Sequence, residues 1–176
     1  MPTHHCLSRL GLLLCLLSAS CAAPGGKLPR LMVERLNWMD EVAQVKQAKN
    51  LPVTDAKREA ELLLAMEKKG AARGLPAPAV RAFFSGQIDA AKQVQTEWLQ
   101  AHPTVPATKD ALPDLATTVR PALDAIGDKM LSALVSARAN NNAPETLGAV
   151  RAQMTHAGYP SAVITPALNG LETALK

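Results

Sequence analysis

Apolar residues recur at helical spacing along most of the chain from about residue 28 onward. In the segment 28–50 they follow steps of four and three: Leu31, Arg35, Trp38, Val42 and Val45. Such steps place residues on one face of an α-helix. Proline and glycine separate this segment from later ones with the same pattern. The pattern therefore predicts a series of consecutive helices.

Leu51-Pro52 ends the first predicted helix. The helices after it are predicted over about 54–69, 79–100 and 114–139, with Pro144 and Pro160 placed to open two shorter ones. Of the 176 residues, 48% are hydrophobic and only 3% are aromatic, which argues against a β-sandwich or barrel. We therefore expect an all-α fold, a single-domain bundle of about six helices. The net charge is +4, and the basic residues are spread out, so nucleic-acid binding is not expected.

The N-terminal residues have the order of a secretory signal. A positively charged start (Met1–Arg9) precedes an apolar run (Leu10–Leu17) and the small residues SASCAAPGG. Eight apolar residues are too few to span a bilayer. We therefore expect residues 1–23 to be a signal peptide and residues 24–176 to be a periplasmic or secreted domain. A buried N-terminal helix is the alternative.

All three cysteines, Cys6, Cys15 and Cys21, lie in this leader. The mature chain is therefore expected to have neither a disulfide nor thiol chemistry. The residues Ser18–Cys21 are similar to a lipoprotein cleavage box, in which Cys21 would be acylated and would anchor the protein. Such boxes usually begin with an aliphatic residue, so a soluble exported protein is the first expectation and lipid anchoring is the alternative.

Several charged residues occupy positions on apolar helix faces. Arg35 lies within the first apolar stripe, and Lys46, three turns later, returns to nearly the same side. Asp55, Arg58 and Glu59 share one face of the second predicted helix, where Asp55 could hold the Arg58 guanidinium toward an anionic ligand. Snorkelling side chains and a solvated, salt-bridged first turn are the plainer interpretations.

Two further polar residues point toward the same expected interior. Gln95 lies on the apolar face of the third helix, one turn after the small residue Ala91. It is either an interhelical hydrogen-bond partner, as Gln87 could be, or a donor in a pocket. Arg120 lies one turn before Leu123. The four cations are expected near a common interior that contains few carboxylates, which suits a small dianion.

The residues indicate no metal and no nucleophile. His102 and His156 are far apart in sequence, and the mature chain has no cysteine, so no metal site is predicted. No G-x-S-x-G motif or Gly-rich phosphate loop is present, and neither Ser85 nor Ser136 has an evident base partner. The pattern leaves binding alone, or a reaction that needs neither group.

Four segments of the chain, which include the charged residues and Gln95 named above, resemble the secreted, all-helical class of chorismate mutases. The resemblance spans about residues 28–134 and lies in ERLNWMDEVAQVK, LPVTDAKRE, GLPAPAVRAFFSGQIDAAKQVQ and RPALDAIGDKML. It implies an enzyme that converts chorismate to prephenate by a pericyclic rearrangement, without a cofactor. It also implies that the pocket lies within one chain. Relatives of this class are often dimers, so a homodimer is an open alternative.

The resemblance implies roles for individual residues. Arg35, Arg58 and Arg120 match the residues that hold the two substrate carboxylates. Lys46 and Gln95 match those at the ether oxygen, and a neutral Gln implies activity that persists at neutral pH.

Four further residues complete this comparison. Asp55 and Glu59 match polar positions near the substrate hydroxyl. Ala91 occupies a position that is often small or hydroxylated, so a hydroxyl contact would be missing here. Pro121 is expected to bias Arg120 away from helical dihedral angles.

Two other classes of protein remain open from the residues alone. A helical periplasmic binding or sensing protein would keep the dianion pocket without turnover. A structural or chaperone-like helical protein would bind no chorismate and would contain a salt-bridged Arg35. A chorismate turnover assay separates the enzyme from the binding protein, and the structural protein is recognised because it does not bind chorismate.

Overall fold

The computed structural model describes residues 26–104 and 112–176, which form seven α-helices and one π-helical turn. The elements are α1 (Leu28–Leu36), α2 (Met39–Ala48), α3 (Ala56–Ala71), α4 (Ala77–Ala101), the π-helical turn (Leu115–Val119), α5 (Arg120–Ala139), α6 (Ala143–His156) and α7 (Ser161–Leu175). The predicted all-α bundle is confirmed. The predicted signal peptide, with Cys21, lies outside the described residues. Within those residues, no helix has both the length and the apolar character needed to cross a membrane.

The first predicted helix is divided into α1 and α2 by a turn at Asn37 and Trp38. Tyr159 lies just before α7, and its hydroxyl donates a hydrogen bond of 2.8 Å to the side-chain oxygen of Asn37. Burial, with a smaller contribution from Asp40, raises the pKa of Tyr159 to about 12, so the hydroxyl remains a donor at neutral pH. The C-terminal part of the chain thus fastens the turn that separates α1 from α2.

Helix α4 packs against α1, α2, α3 and α7 and carries the largest buried aromatic side chains. Phe83 and Phe84 lie edge to face, with ring centroids 5.1 Å apart. On the side facing α7, Gly86 and Gly170 let the two backbones touch. A Cβ atom on Gly86 would lie 2.5 Å from the carbonyl oxygen of Pro166, closer than real contacts allow. The backbones of α4 and α7 are therefore in direct contact at these two glycines.

The π-helical turn leads directly into α5. Asp114 precedes the turn, and its carboxylate accepts two backbone N–H groups of the turn, which lower its pKa to about 2. Arg120 has φ −60° and ψ −45°, so the expected departure from helical dihedral angles at this residue is wrong. Its N–H bonds to the carbonyl of Leu115, five residues back. The wider turn relieves the clash that Pro121 would make with a carbonyl four residues back.

Candidate active site

A cavity of about 140 Å³ lies between α1, α2, α3, α4 and α5. A single water needs roughly 10–15 Å³ on this measure, so the cavity has room for a small organic molecule. Five predicted residues line it from the N-terminal helices: Arg35, Lys46, Asp55, Arg58 and Glu59.

The other three predicted residues, Ala91 and Gln95 on α4 and Arg120 at the start of α5, line the same cavity. The structure therefore brings all eight together.

Two charged residues that the sequence reasoning missed also line the cavity. These are Lys92 on α4 and Asp124 on α5. With them, the lining drawn from residues 26–104 and 112–176 contains five cationic and three anionic side chains, an excess of two positive charges. The interior thus holds more carboxylates than expected, yet its charge still suits a dianion. Helical spacing could have indicated both residues, because Lys92 precedes Gln95 by three residues and Asp124 follows Arg120 by four, which places each pair on one helix face.

Arg35 is the most deeply buried cation of the site, with 6% of its surface exposed. Its Nη1 donates to the carbonyl oxygen of Gln87 at 3.1 Å. Burial lowers the pKa of Arg35 to about 10, partly opposed by Asp124, so the guanidinium remains charged at pH 7. The ion pairs found in residues 26–104 and 112–176 do not include Arg35. The salt-bridged Arg35 of a purely structural protein is thus not seen there.

Lys46 is half-buried on α2, and its Nζ donates to the carbonyl oxygen of Val53 at 2.6 Å. Burial lowers the pKa of Lys46; Asp55 and Glu59 oppose this shift, and Arg120 adds to it. An ammonium group has three donors. Because the described residues use one of them, Lys46 retains hydrogen-bonding capacity toward the cavity.

The structure holds Arg58 by contacts that differ from the expected one. The Asp55 carboxylate accepts the backbone N–H of Arg58 at 3.0 Å and caps α3. The guanidinium instead lies 3.6 Å from Asp124 and 3.9 Å from Glu61. The expectation that Asp55 holds the guanidinium is therefore wrong, because its carboxylate satisfies an unpaired donor of the first helical turn.

Both carboxylate oxygens of Glu59 have partners within the described residues. Oε1 accepts the backbone N–H of Asp55 at 3.3 Å, and Oε2 lies 3.3 Å from the ammonium of Lys92. Burial lowers the pKa of Lys92, but hydrogen bonds to Asp89 and Glu59 outweigh it, and the net shift is upward. Lys92 therefore stays charged at neutral pH and fixes the Glu59 carboxylate at the cavity wall.

Gln95 is 5% exposed and lines the cavity. Its Nε2 donates to the carbonyl oxygen of Ala91 at 3.1 Å and lies 3.6 Å from Met39 Sδ. Its Oε1 is buried and has no partner among the described residues. Gln87 is fully buried, and neither of its side-chain polar atoms has a partner there, so the interhelical bond considered for it is not seen. Of the two glutamines, Gln95 alone lines the cavity.

Comparisons with known proteins identify one family. The family model described as chorismate mutase type II matches residues 26–96. The solved structure of chorismate mutase from Burkholderia thailandensis is 32% identical to this chain, with a TM-score of 0.66, and the match covers 85% of this chain and 94% of that one. A search of curated proteins finds no significant match.

Two further solved structures share the architecture. Chorismate mutase from Burkholderia phymatum is 27% identical, with a TM-score of 0.69, and the match covers 84% of this chain and 93% of that one. The secreted chorismate mutase from Yersinia pestis is 20% identical, with a TM-score of 0.73 and coverage of 83% and 95%; at that identity it shows the fold alone. The identity and coverage of the Burkholderia thailandensis match establish that this chain belongs to the chorismate mutase family of enzymes.

Proposed function

We propose that this protein converts chorismate to prephenate in the cavity between α1 and α5. The observation that carries the proposal is the charge of the cavity. Five cations and three carboxylates face one space, together with the buried carboxamide of Gln95. That excess of two positive charges complements the two carboxylates of chorismate. Family membership supports the same reaction.

Substrate binding is assigned to Arg35, Arg58 and Arg120, which would hold the two carboxylates. Guanidinium groups can bind a carboxylate through two parallel hydrogen bonds, which fixes orientation as well as position. The rearrangement is unimolecular and needs the flexible substrate in a compact, chair-like conformer. Holding that conformer removes an entropic part of the barrier.

Stabilisation of the breaking bond is assigned to Lys46 and Gln95. As the C–O bond breaks, negative charge develops on the ether oxygen. An ammonium and a carboxamide that are already held at the cavity wall stabilise that charge. Lys46 is held by Val53, and Gln95 by Ala91, before any substrate enters. The chemistry requires no proton transfer, nucleophile or cofactor.

Three further lining residues are assigned to the substrate away from its breaking bond. Asp55 and Glu59 are assigned to the region of the substrate hydroxyl. The Glu59 carboxylate is held by the ammonium of Lys92 and by the backbone N–H of Asp55, the residue that caps α3. Ala91 contributes space rather than a hydroxyl contact.

We also propose that the enzyme is exported through the leader at residues 1–23, as a soluble protein or anchored through Cys21. The order of charged, apolar and small residues supports this proposal. The homodimer stays a prediction. The eight residues assigned to the substrate all line one cavity of a single copy.

The decisive experiment follows the loss of chorismate absorbance with purified protein. We expect turnover by the natural chain, and in Lys46→Ala a kcat lower by about a hundredfold or more with the fold retained by circular dichroism. Lys57→Ala is the matched control, because Lys57 is an exposed lysine on α3 outside the cavity lining. Chorismate binding without turnover by the natural protein would refute catalysis and support a binding protein. Unchanged kinetics in Lys46→Ala would remove Lys46 from the mechanism.

A further inference from the structure

A thioether lies beside the proposed ether-oxygen donor. Met39 is 2% exposed, lines the cavity from the start of α2, and places Sδ 3.6 Å from Gln95 Nε2. The role of Gln95 requires that its NH₂ group, and not its carbonyl oxygen, faces the breaking bond. The contacts around this carboxamide therefore decide whether it can act.

The carboxamide has two N–H donors, and each has a different kind of acceptor. One donor is used by the Ala91 carbonyl at 3.1 Å, a strong acceptor on the same helix. The other is left for Met39 Sδ, a weak acceptor. The reversed carboxamide would set Oε1 against the Ala91 carbonyl oxygen, so the hydrogen-bond network assigns this orientation. In that orientation Oε1 is buried and has no partner among the described residues.

We propose that Met39 is a positioning residue whose Sδ holds the second N–H of Gln95 at the cavity wall until substrate arrives. A hydrocarbon side chain at this place would exclude water but would give the N–H no direction. A strong oxygen acceptor would orient the N–H but would compete with the substrate. The sulfur orients it and yields to an ether oxygen that gains negative charge, because the thioether is the weaker acceptor.

This inference rests on the proposed function and makes a separate prediction about rate. An interaction that matters mainly as charge develops affects kcat more than KM. Met39→Leu conserves volume and apolar character, a kind of exchange that cores tolerate. We expect a loss of roughly two- to tenfold in kcat, the range of one net hydrogen bond, with KM within about twofold. Met66→Leu is the matched control, because Met66 is also a buried methionine that lines the cavity.

The test measures kcat and KM for the natural protein, Met39→Leu, Met66→Leu, Gln95→Ala and the double variant Met39→Leu/Gln95→Ala. If Met39 acts through Gln95, its replacement lowers kcat in the natural chain and has no further effect on Gln95→Ala. Equal kcat values for Met39→Leu and Met66→Leu, or the same loss from Met39→Leu in both backgrounds, would overturn the inference. If M39L does not fold, Met39→Ile removes the same acceptor and carries the same expectation. Absence of turnover in the natural protein would instead refute the proposed function.

Discussion

Gln95→Glu replaces the buried carboxamide with a group of nearly the same shape that donates only when it is protonated. Gln95 Nε2 lies 3.1 Å from the Ala91 carbonyl oxygen. The ionised carboxylate of the variant would face that oxygen with no hydrogen between them. Burial also disfavours the charged form, whereas Lys46 on the same cavity favours it. The variant is therefore active only in its acid form.

The size of the effect follows from the fraction of the variant that is protonated. That fraction falls tenfold for each pH unit above the pKa of the new carboxyl group. An unperturbed glutamate, with a pKa of about 4.3, would leave turnover at pH 7 about 500-fold below its acid value. Burial that raised the pKa to about 6 would leave a loss of about tenfold. We expect a loss within this range, with recovery toward acid pH.

The assay compares kcat against pH for the natural protein and the variant between about pH 4.5 and 8.5. Gln93→Glu is the control, because Gln93 is half-buried on α4 outside the cavity lining. The Asp114 cap before Arg120 survives this range. Its pKa is lowered to about 2, so its contribution to stability is present above the usual aspartate pKa and is lost only as pH falls through about 2. A flat profile for Gln95→Glu would refute Gln95 as the donor to the ether oxygen.

Three other outcomes are expected. Because burial lowers the pKa of Lys46, the fall of kcat/KM at alkaline pH should begin below the pH at which a free lysine side chain loses its proton. Lys46→Arg should move this alkaline fall to higher pH. Gly86→Ala should lower the melting temperature by roughly 2–10 °C as the new methyl group meets Pro166, whereas Gly148→Ala, whose Cβ meets nothing, should not lower it. If the leader is processed as proposed, the mature protein found outside the cytoplasm should lack residues 1–23. An acylated N-terminus at Cys21, lost in Cys21→Ser, would instead establish the lipid anchor.

Helical spacing predicted eight residues that share the cavity, but Lys92 and Asp124 were missed. Arg35, Lys46 and Gln95 stood out because each replaces an apolar residue on an apolar stripe, and burial of such a group is costly without a ligand or partner. The helices themselves carried strong start and stop signals, such as Asp55 at the cap of α3. These are local effects, and a single sequence contains them.

The features that could not be predicted depend on contacts between distant residues. Asn37 is a weaker turn signal than proline or glycine, and the hydrogen bond that its side chain accepts from Tyr159 comes from a residue far along the chain. The pairing of Arg58 with Asp124 depends on how α3 meets α5. Pro121 signals a local conflict, but a π-helical turn is only one of its solutions.

The backbone contact between α4 and α7 bears on how short a working version of this enzyme can be. The residues matched by the family model end at 96, and that stretch contains Arg35, Lys46, Arg58 and Gln95. A fragment limited to residues 26–96 would nevertheless expose the side of α4 at Gly86, which contacts Gly170 of α7 in the full chain. It would also lose Arg120 and the hydroxyl at Asn37. Minimised versions for engineering should therefore retain the chain through α7.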